Sequence, residues 1–347
     1  MAKKSTMTFL KPFILQEKWQ RIAIVQTSED GNRFPERYSR ALAALRRTFT
    51  GTIRDYTQYS SACHDMCSGE VFAELFHCAV QENDLILSLT GGYTTNLMLP
   101  HLDYNLLREK CPLLVGYSDT TALQLAFLAC AQLCSLYGPA LLGSFGEYPD
   151  VNPVSLASMK ALTMFDSAGY HYSAPALFAD CNYFWDKEDA QPVPYSKNRV
   201  WHSNSDDCIR GILFGGNLNT LLCTIGTEFF PKIPNGILFL EDTHTCLSQL
   251  KRDIESLRQR HVFDNLRGVL FGKFYQCGLI EDNANMNNYL LREFTRMGLP
   301  LMVDVDFGHC LPQLSLPLGI EACVDYQNGC ITLCESFARK KTVTMDQ

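Results

Sequence analysis

Pro112-Leu113-Leu114-Val115-Gly116-Tyr117-Ser118-Asp119-Thr120-Thr121-Ala122-Leu123 is the stretch on which the reading of this chain turns. Leu113 to Val115 is a short apolar run of the kind that fills a buried strand. Gly116 permits a tight turn. Asp119, Thr120 and Thr121 are residue types that cap helix N-termini. Ala122, Leu123, Leu125, Ala126, Leu128 and Ala129 then continue as a largely buried helix. Ser118 therefore falls where a strand turns sharply into a helix. That is the nucleophile-elbow arrangement, which lifts a hydroxyl clear of its own backbone at the positive end of a helix. The pattern is Gly-Tyr-Ser-Asp-Thr, with Thr120 where Gly-x-Ser-x-Gly has its second glycine. The same spacing also fits a serine that only caps a helix.

Outward from this stretch, strands and helices alternate. Strands are expected at 21–26, 52–56, 85–89 and 112–117, with helices at 35–47 and 69–81 between them. Such alternation over roughly 135 residues predicts a parallel, helix-flanked sheet. In sheets of this kind sites lie beyond the carboxyl ends of the strands, where Gly91-Gly92 and Ser118 both fall. Residues 137–149 read as a loop or short strand. Residues 150–205 change character, with Pro153, Pro175, Pro192 and Pro194 among polar and aromatic residues. After a helix near 154–165 they read as a linker and surface excursion holding Tyr183, Phe184 and Trp185. A second unit starts near Asp207, with strands at 208–214, 236–240, 268–272 and 301–304 and helices from Leu247 and over 285–297. A hairpin turns on Gln327-Asn328-Gly329. The domains are then 1–165, a linker over 166–206, and 207–347. The tail from Ala338 is basic and is expected to fray.

Two domains suit 347 residues, and 46 % hydrophobic content supplies cores for both. A net charge of -7 with no basic stripe argues against nucleic acid as a partner. No apolar run is long enough for a membrane span or a signal-peptide core. Fifteen scattered cysteines without a C-x-x-C pair read as reduced, buried thiols of a cytoplasmic protein, several of them in apolar runs such as Cys130, Cys223 and Cys323. No metal site and no cofactor site is expected: Cys63-His64 and Cys67 lack a second ligand pair, and Gly215-Gly216 lacks the dinucleotide-binding spacing.

A nucleophilic serine needs a base, and the base an orienting carboxylate. His309 sits in a loop bounded by glycine and proline, and Glu241 closes the apolar run Ile237 to Leu240. A carboxylate at the rim of a core must find a partner. Spacing alone leaves open that Glu241-Asp242 caps the next helix and that His309 is a plain loop residue.

Seven motifs occur in order: Gly91-Gly92-Tyr93, Leu102-Asp103-Tyr104, Gly116 to Leu123, Tyr137-Gly138-Pro139, Gly215-Gly216-Asn217-Leu218, Ile237 to Asp242, and Gly308-His309 followed by Pro317-Leu318-Gly319. Together they resemble the LD-carboxypeptidase family of serine peptidases over nearly the whole chain, and most of all its microcin C self-immunity branch. The resemblance implies an α/β fold, with a Rossmann-like N-terminal domain and a smaller β-rich C-terminal domain and the site between them. It implies Ser118 as nucleophile, His309 as general base and then acid, and Glu241 as the carboxylate that orients it. The oxyanion hole would come from the Asp119 backbone N–H and one from Gly91 or Gly92, and Tyr93, Trp185 and Asn217 would face substrate. It implies a cytoplasmic enzyme without metal or cofactor, commonly a homodimer. The substrate would be a small peptide-like amide such as a peptidyl-aminoacyl nucleotide, or else a cell-wall tetrapeptide that loses its terminal D-Ala. A non-catalytic peptide-binding protein is the alternative of another class. Thr245 stands where the self-immunity branch carries a lysine tied to the nucleotide end, and Trp19-Gln20 where the family has Gly-Asp.

Overall fold

The computed structural model describes residues 7–15, 21–28, 34–57, 68–179, 191–197, 200–274 and 280–340. The N-terminal half runs β1 (Arg21–Val25), α1 (Pro35–Thr48), β2 (Thr52–Asp55), α2 (Gly69–Glu82) and β3 (Leu85–Ser88). A 3₁₀ segment, Thr95–His101, follows, and then α3 (Tyr104–Lys110), β4 (Leu113–Gly116), α4 (Thr121–Ala126), β5 (Ser135–Tyr137) and α5 (Pro153–Thr163). Two-residue strands β6 (His171–Tyr172), β7 (Leu177–Phe178), β8 (Ser196–Lys197) and β9 (His202–Ser203) lie in the excursion. The C-terminal half holds β10 (Cys208–Asn217), α6 (Leu218–Thr224), β11 (Ile237–Glu241), α7 (Leu247–Gln259), β12 (Gly268–Gly272), α8 (Ile280–Met297), β13 (Leu301–Val305), β14 (Leu316–Leu318), β15 (Glu321–Asp325) and β16 (Cys330–Leu333).

Among the described residues these strands build a six-stranded sheet, β14-β5-β4-β3-β1-β2, an eight-stranded sheet, β6-β16-β15-β10-β11-β12-β13-β9, and a separate pair, β7-β8. The first is parallel except for β14, and the second is parallel across β10 to β13 with antiparallel flanks. The apolar runs of β1, β3 and β4 have a simple cause. Their side chains alternate between two cores: Ile22, Ile24, Leu85, Leu87, Leu113 and Val115 join one, and Ala23, Val25, Ile86 and Leu114 the other. Both faces are covered, so apart from the end positions Arg21 and Ser88 these strands carry no polar residue. The first of these cores continues through Leu213, Leu238 and Leu270 into the second sheet, so one apolar body joins the two halves.

Several expectations are revised. The third residue of β5, Tyr137, is fully buried, and the segment after it is not open loop: Leu141–Phe145 forms a single π-type turn that buries Leu141, Leu142 and Phe145. The chain over 208–347 is not confined to the second sheet, because β14 pairs antiparallel with β5 at the edge of the first. The excursion likewise lends β6 and β9 to the second sheet. Ala338 is buried and Arg339 donates its backbone N–H to Pro12, so the tail is docked through 339. Cys130, Cys223 and Cys323 are not core thiols: Cys223 is exposed and the other two are half-buried, because they occupy outward positions of their elements. Among the described residues no helix is long and apolar enough to cross a membrane.

Candidate active site

Ser118 leaves β4 with φ of +61°, in the left-handed region that L residues avoid. A residue held there stores strain that the surrounding structure must overcome, and such positions cluster at active sites. Its backbone N–H donates to Tyr137 Oη at 3.1 Å. The turn is made possible from the other side by Gly91, where a Cβ would come within 2.6 Å of Ser118 Oγ. The next residue, Asp119, is buried and its carboxylate accepts the Thr95 N–H at 2.9 Å. This bond ties the 3₁₀ segment to the start of the helix.

Glu241 ends β11 with no exposure at all. Four donors surround its carboxylate. Tyr137 Oη donates to Oε1 at 2.6 Å and Asn217 Nδ2 to the same oxygen at 3.1 Å. His309 donates its backbone N–H to Oε2 at 3.2 Å, and its Nδ1 lies 2.7 Å from that oxygen. A carboxylate offers only acceptors, so Nδ1 carries the proton and Nε2 is the basic nitrogen. Burial alone would raise the Glu241 pKa, but the His309 charge and these hydrogen bonds outweigh it and hold the group below the ordinary carboxylate value. For His309 burial works downward, and the charge and hydrogen bond of Glu241 overcome it, so the imidazole titrates above its ordinary value. Gly308, with φ of +81°, lets this loop down onto the carboxylate, since a Cβ there would collide with the Glu241 side chain. The rings of Tyr117 and His309 meet edge to face at 4.9 Å.

The two halves meet where β10 runs into α6. A Cβ on Gly215 would strike the Phe239 carbonyl and one on Gly216 the Thr121 side chain, so only glycines let these backbones close up. Thr121 Oγ1 accepts the Asn217 N–H at 2.9 Å across the junction.

A cavity of about 850 Å³ opens over this junction and is lined by Gly91, Gly92, Tyr93, Ser118, Asp119, Asn217 and His309 among others. Ser118 and His309 thus share one cavity, with Glu241 behind the imidazole. Tyr93 is 87 % exposed at its rim. Asn217 lines the wall, but its side chain is engaged: Nδ2 serves Glu241 and Oδ1 caps the Thr220 N–H at 3.1 Å. Trp185 lies outside the described residues. Thr245 is buried and does not line the cavity. Glu241-Asp242 does not cap the following helix, which begins at Leu247 after Cys246. Asp242 instead faces the cavity, with Asn219 Nδ2 at 3.1 Å from both of its oxygens. Burial, and then the charge of Glu241, push its pKa up to about 7. Sequence reasoning missed Tyr137, whose hydroxyl joins the Ser118 backbone to Glu241. The available signal was a tyrosine closing a strand beside the nucleophile strand, just before Gly138-Pro139.

The family models described as LD-carboxypeptidase N-terminal domain and LD-carboxypeptidase C-terminal domain match residues 22–138 and 210–324. The microcin C7 self-immunity protein MccF of Escherichia coli is 33 % identical over 270 residues, covering 76 % of this chain and 78 % of that protein. A solved structure of MccF with aspartyl sulfamoyl adenosine superposes with a TM-score of 0.86 at 28 % identity, covering 95 % of this chain and 100 % of the other. The muramoyltetrapeptide carboxypeptidase of Oxalobacter formigenes shares the fold, with a TM-score of 0.71 at 24 % identity over 90 % of this chain and 98 % of its own. With both family domains matched in order around the cleft that holds Ser118 and His309, this chain belongs to the LD-carboxypeptidase family and is a serine-type carboxypeptidase.

Proposed function

We propose that Ser118, His309 and Glu241 act as a catalytic triad that hydrolyses the C-terminal amide bond of a small peptide-like substrate. His309 Nε2 takes the proton of Ser118 Oγ as the oxygen attacks the carbonyl carbon, and the tetrahedral intermediate forms. Its oxyanion accepts the backbone N–H of Asp119 and one from Gly91-Gly92, donors that stabilise charge developing only in the transition state. The intermediate collapses, His309 returns the proton to the departing amine, and an acyl-Ser118 ester remains. Water activated by the same imidazole then frees the acid and restores Ser118. Glu241 keeps the Nδ1 tautomer and faces the imidazolium as it forms. Asn217 and Tyr137 act as positioning residues that hold the carboxylate.

The observation that carries this reading is the 2.7 Å contact of His309 Nδ1 with the fully buried Glu241, beside a serine in left-handed backbone conformation in the same cavity. A volume of about 850 Å³ suits a ligand the size of an aminoacyl nucleotide. Structures of the similar protein MccF contain aspartyl sulfamoyl adenosine and glutamyl sulfamoyl guanosine. The leaving group is accordingly read as nucleotide-like. Burial of Thr245 outside the cavity wall favours a second reading, removal of terminal D-Ala from a cell-wall tetrapeptide. Turnover of a peptidyl-aminoacyl nucleotide and of the tetrapeptide by purified protein decides between them. Covalent labelling by a serine-reactive fluorophosphonate, lost in Ser118→Ala, tests the nucleophile, and an unlabelled wild type would instead point to a peptide-binding protein. The family resemblance also leads to a cytoplasmic homodimer, which light scattering and cell fractionation test.

A further inference from the structure

Asp306 stands three positions before His309 and takes no part in the chemistry above, yet its side chain has no exposure at all. Its Oδ2 accepts the Trp201 Nε1–H at 2.8 Å, and its Oδ1 lies 3.3 Å from the Lys273 ammonium. Lys273, one residue beyond the end of β12, is itself only 4 % exposed. Its Nζ donates to the Asp304 carbonyl at 2.6 Å and stands over the Phe178 ring, 5.7 Å from the centroid. Lys273 and Asp306 are thus an ion pair taken out of water.

Such a pair is weak evidence for stability. The cost of desolvating two charges can exceed what their attraction returns, and apolar residues of similar volume are often as stable. What distinguishes this pair is its place. It joins the end of β12, the loop that carries His309, and the excursion, from which Trp201 and Phe178 come. Backbone bonds follow the same lines. Lys273 donates its N–H to the Val305 carbonyl at 3.1 Å, and Ala179 donates to that of Leu311 at 2.8 Å. Leu314 donates to the Asp306 carbonyl at 2.7 Å, so the loop from 306 to 314 closes at its own base on Asp306.

The same corner touches the reacting groups. Asp304, whose carbonyl the ammonium holds, is in the left-handed region at φ of +67°. A residue kept there needs surroundings that over-determine it. A Cβ on Gly272 would come within 2.8 Å of Glu241 Cβ and 2.9 Å of the Phe307 carbonyl, so the end of β12 abuts both the buried carboxylate and the His309 loop. Neither Lys273 nor Asp306 lines the cavity.

We propose that Lys273 and Asp306 are positioning residues: their ion pair, completed by Trp201, seats the loop so that the His309 imidazole faces Ser118 while Glu241 holds it. This inference rests on the triad reading above. A misplacement of about 1 Å away from the chemistry can cost on the order of 100-fold in rate. Because the pair does not meet substrate, it acts on the chemical step and not on binding.

The test is covalent labelling of the full chain by a fluorophosphonate, resolved into a maximal rate and a half-saturating concentration. Lys273→Met or Asp306→Asn alone would leave a buried charge unpaired. The double variant Lys273→Met/Asp306→Asn removes both charges at nearly constant volume and avoids that fault. Labelling is read well below each thermal midpoint, so a loss of stability does not enter it. The maximal rate of the double variant is expected to fall at least about tenfold, with the half-saturating concentration within about twofold of wild type. A smaller fall, or a loss that lies in the half-saturating concentration, overturns the proposal. Should the double variant not fold, Trp201→Phe, which removes the Nε1 donor and keeps an aromatic ring, must lower the maximal rate at least about threefold, and a smaller effect overturns the proposal. A wild type that resists labelling would sink the triad reading, whereas a labelled wild type matched by the double variant loses only the positioning role.

Discussion

The carboxyl ends of β4 and β11 look alike as sequence and work by different physics. Each is an apolar strand that runs out to a polar residue, Ser118 two positions beyond β4 and Glu241 at the last position of β11. At the end of β4 the special feature is in the backbone: Ser118 sits at φ of +61°, and its neighbour Gly91 has no side chain to obstruct its hydroxyl. At the end of β11 the backbone is ordinary and the special feature is a charge. Glu241 is fully buried and held by donors from Tyr137, Asn217 and His309. A strained turn tolerates few changes of shape, and a buried carboxylate few changes of partner. In the proposed mechanism the first end presents the reactive atom, and the second sets the charge and tautomer of the group that activates it.

The largest effect should come from breaking the first end chemically while sparing its shape. Ser118→Ala keeps the turn and removes the hydroxyl, and kcat is expected to fall on the order of 10⁴–10⁶-fold with the thermal midpoint little changed. Near-normal turnover in that variant would end the mechanism. Breaking the second end comes next. Glu241→Gln keeps the volume but removes the charge and offers the wrong hydrogen-bond partners, and a loss of about 10³–10⁴ in kcat is expected. Steady-state kinetics on one substrate ranks the two, and a reversed order would mean that the difference drawn between the ends is wrong.

Much of this was legible in the sequence. The alternation of apolar strands with amphipathic helices fixes a parallel sheet because both faces of β1, β3 and β4 must be buried, and that leaves a plain compositional trace. The elbow at Ser118 was visible because strand, turn glycine and cap residues are adjacent in the chain. What escaped depends on residues distant in sequence. Tyr137 reads as a core aromatic until it is placed between Ser118 and Glu241. Glu147 reads as a loop carboxylate until the turn after Ala140 folds in and buries it. Strand β14 is three residues long and pairs with β5 almost 180 residues earlier, so no local pattern marks it. The outward cysteines differ from the expectation because a thiol on the outer side of a helix, as at Cys130 and Cys223, or of a half-buried strand, as at Cys323, has the same neighbours in sequence as one in a core.

A smaller effect isolates the link between the two ends. Tyr137 accepts from the Ser118 backbone and donates to Glu241. Tyr137→Phe keeps the ring, leaves Glu241 with one donor fewer, and is expected to lower kcat/KM about tenfold and stability by about 1–2 kcal/mol. Urea denaturation and kinetics read both, and unchanged values in both would show that the hydroxyl couples nothing.

The pH profile sharpens the comparison from the side of His309. In the proposed mechanism the imidazole must be neutral to accept the Ser118 proton, and Glu241 raises its pKa above the ordinary value of about 6.5. Activity should therefore rise with pH through a midpoint above about 6.5. In Glu241→Gln the raising influence is gone while burial still disfavours the cation, so the midpoint of the residual activity should move down. Asp242, pushed up to about 7, titrates in the same window beside the cavity. It is separated by Asp242→Asn, which keeps the His309 limb but moves it down somewhat, since the Asp242 charge also raises the imidazole. A limb that vanishes in Asp242→Asn and stays fixed in Glu241→Gln would move the essential titration from the imidazole to the aspartate.

The smallest effect is expected at Tyr93, which belongs to neither strand end. Its ring is 87 % exposed at the cavity rim, so the fold gains almost nothing from it. Its backbone N–H is what the structure uses, donating to Ser28 Oγ at 2.8 Å, and Tyr93→Ala leaves that bond in place. An exposed aromatic ring at a rim can contribute only by covering a bound ligand, and such ring contacts are worth about 0.5–1.5 kcal/mol. Tyr93→Ala should therefore raise KM about two- to tenfold for a nucleotide-bearing substrate, with kcat and the thermal midpoint unchanged. A change in kcat of similar size would mean that the ring touches the Gly91-Gly92 turn during reaction, and the rim would then have to be counted with the elbow rather than apart from it.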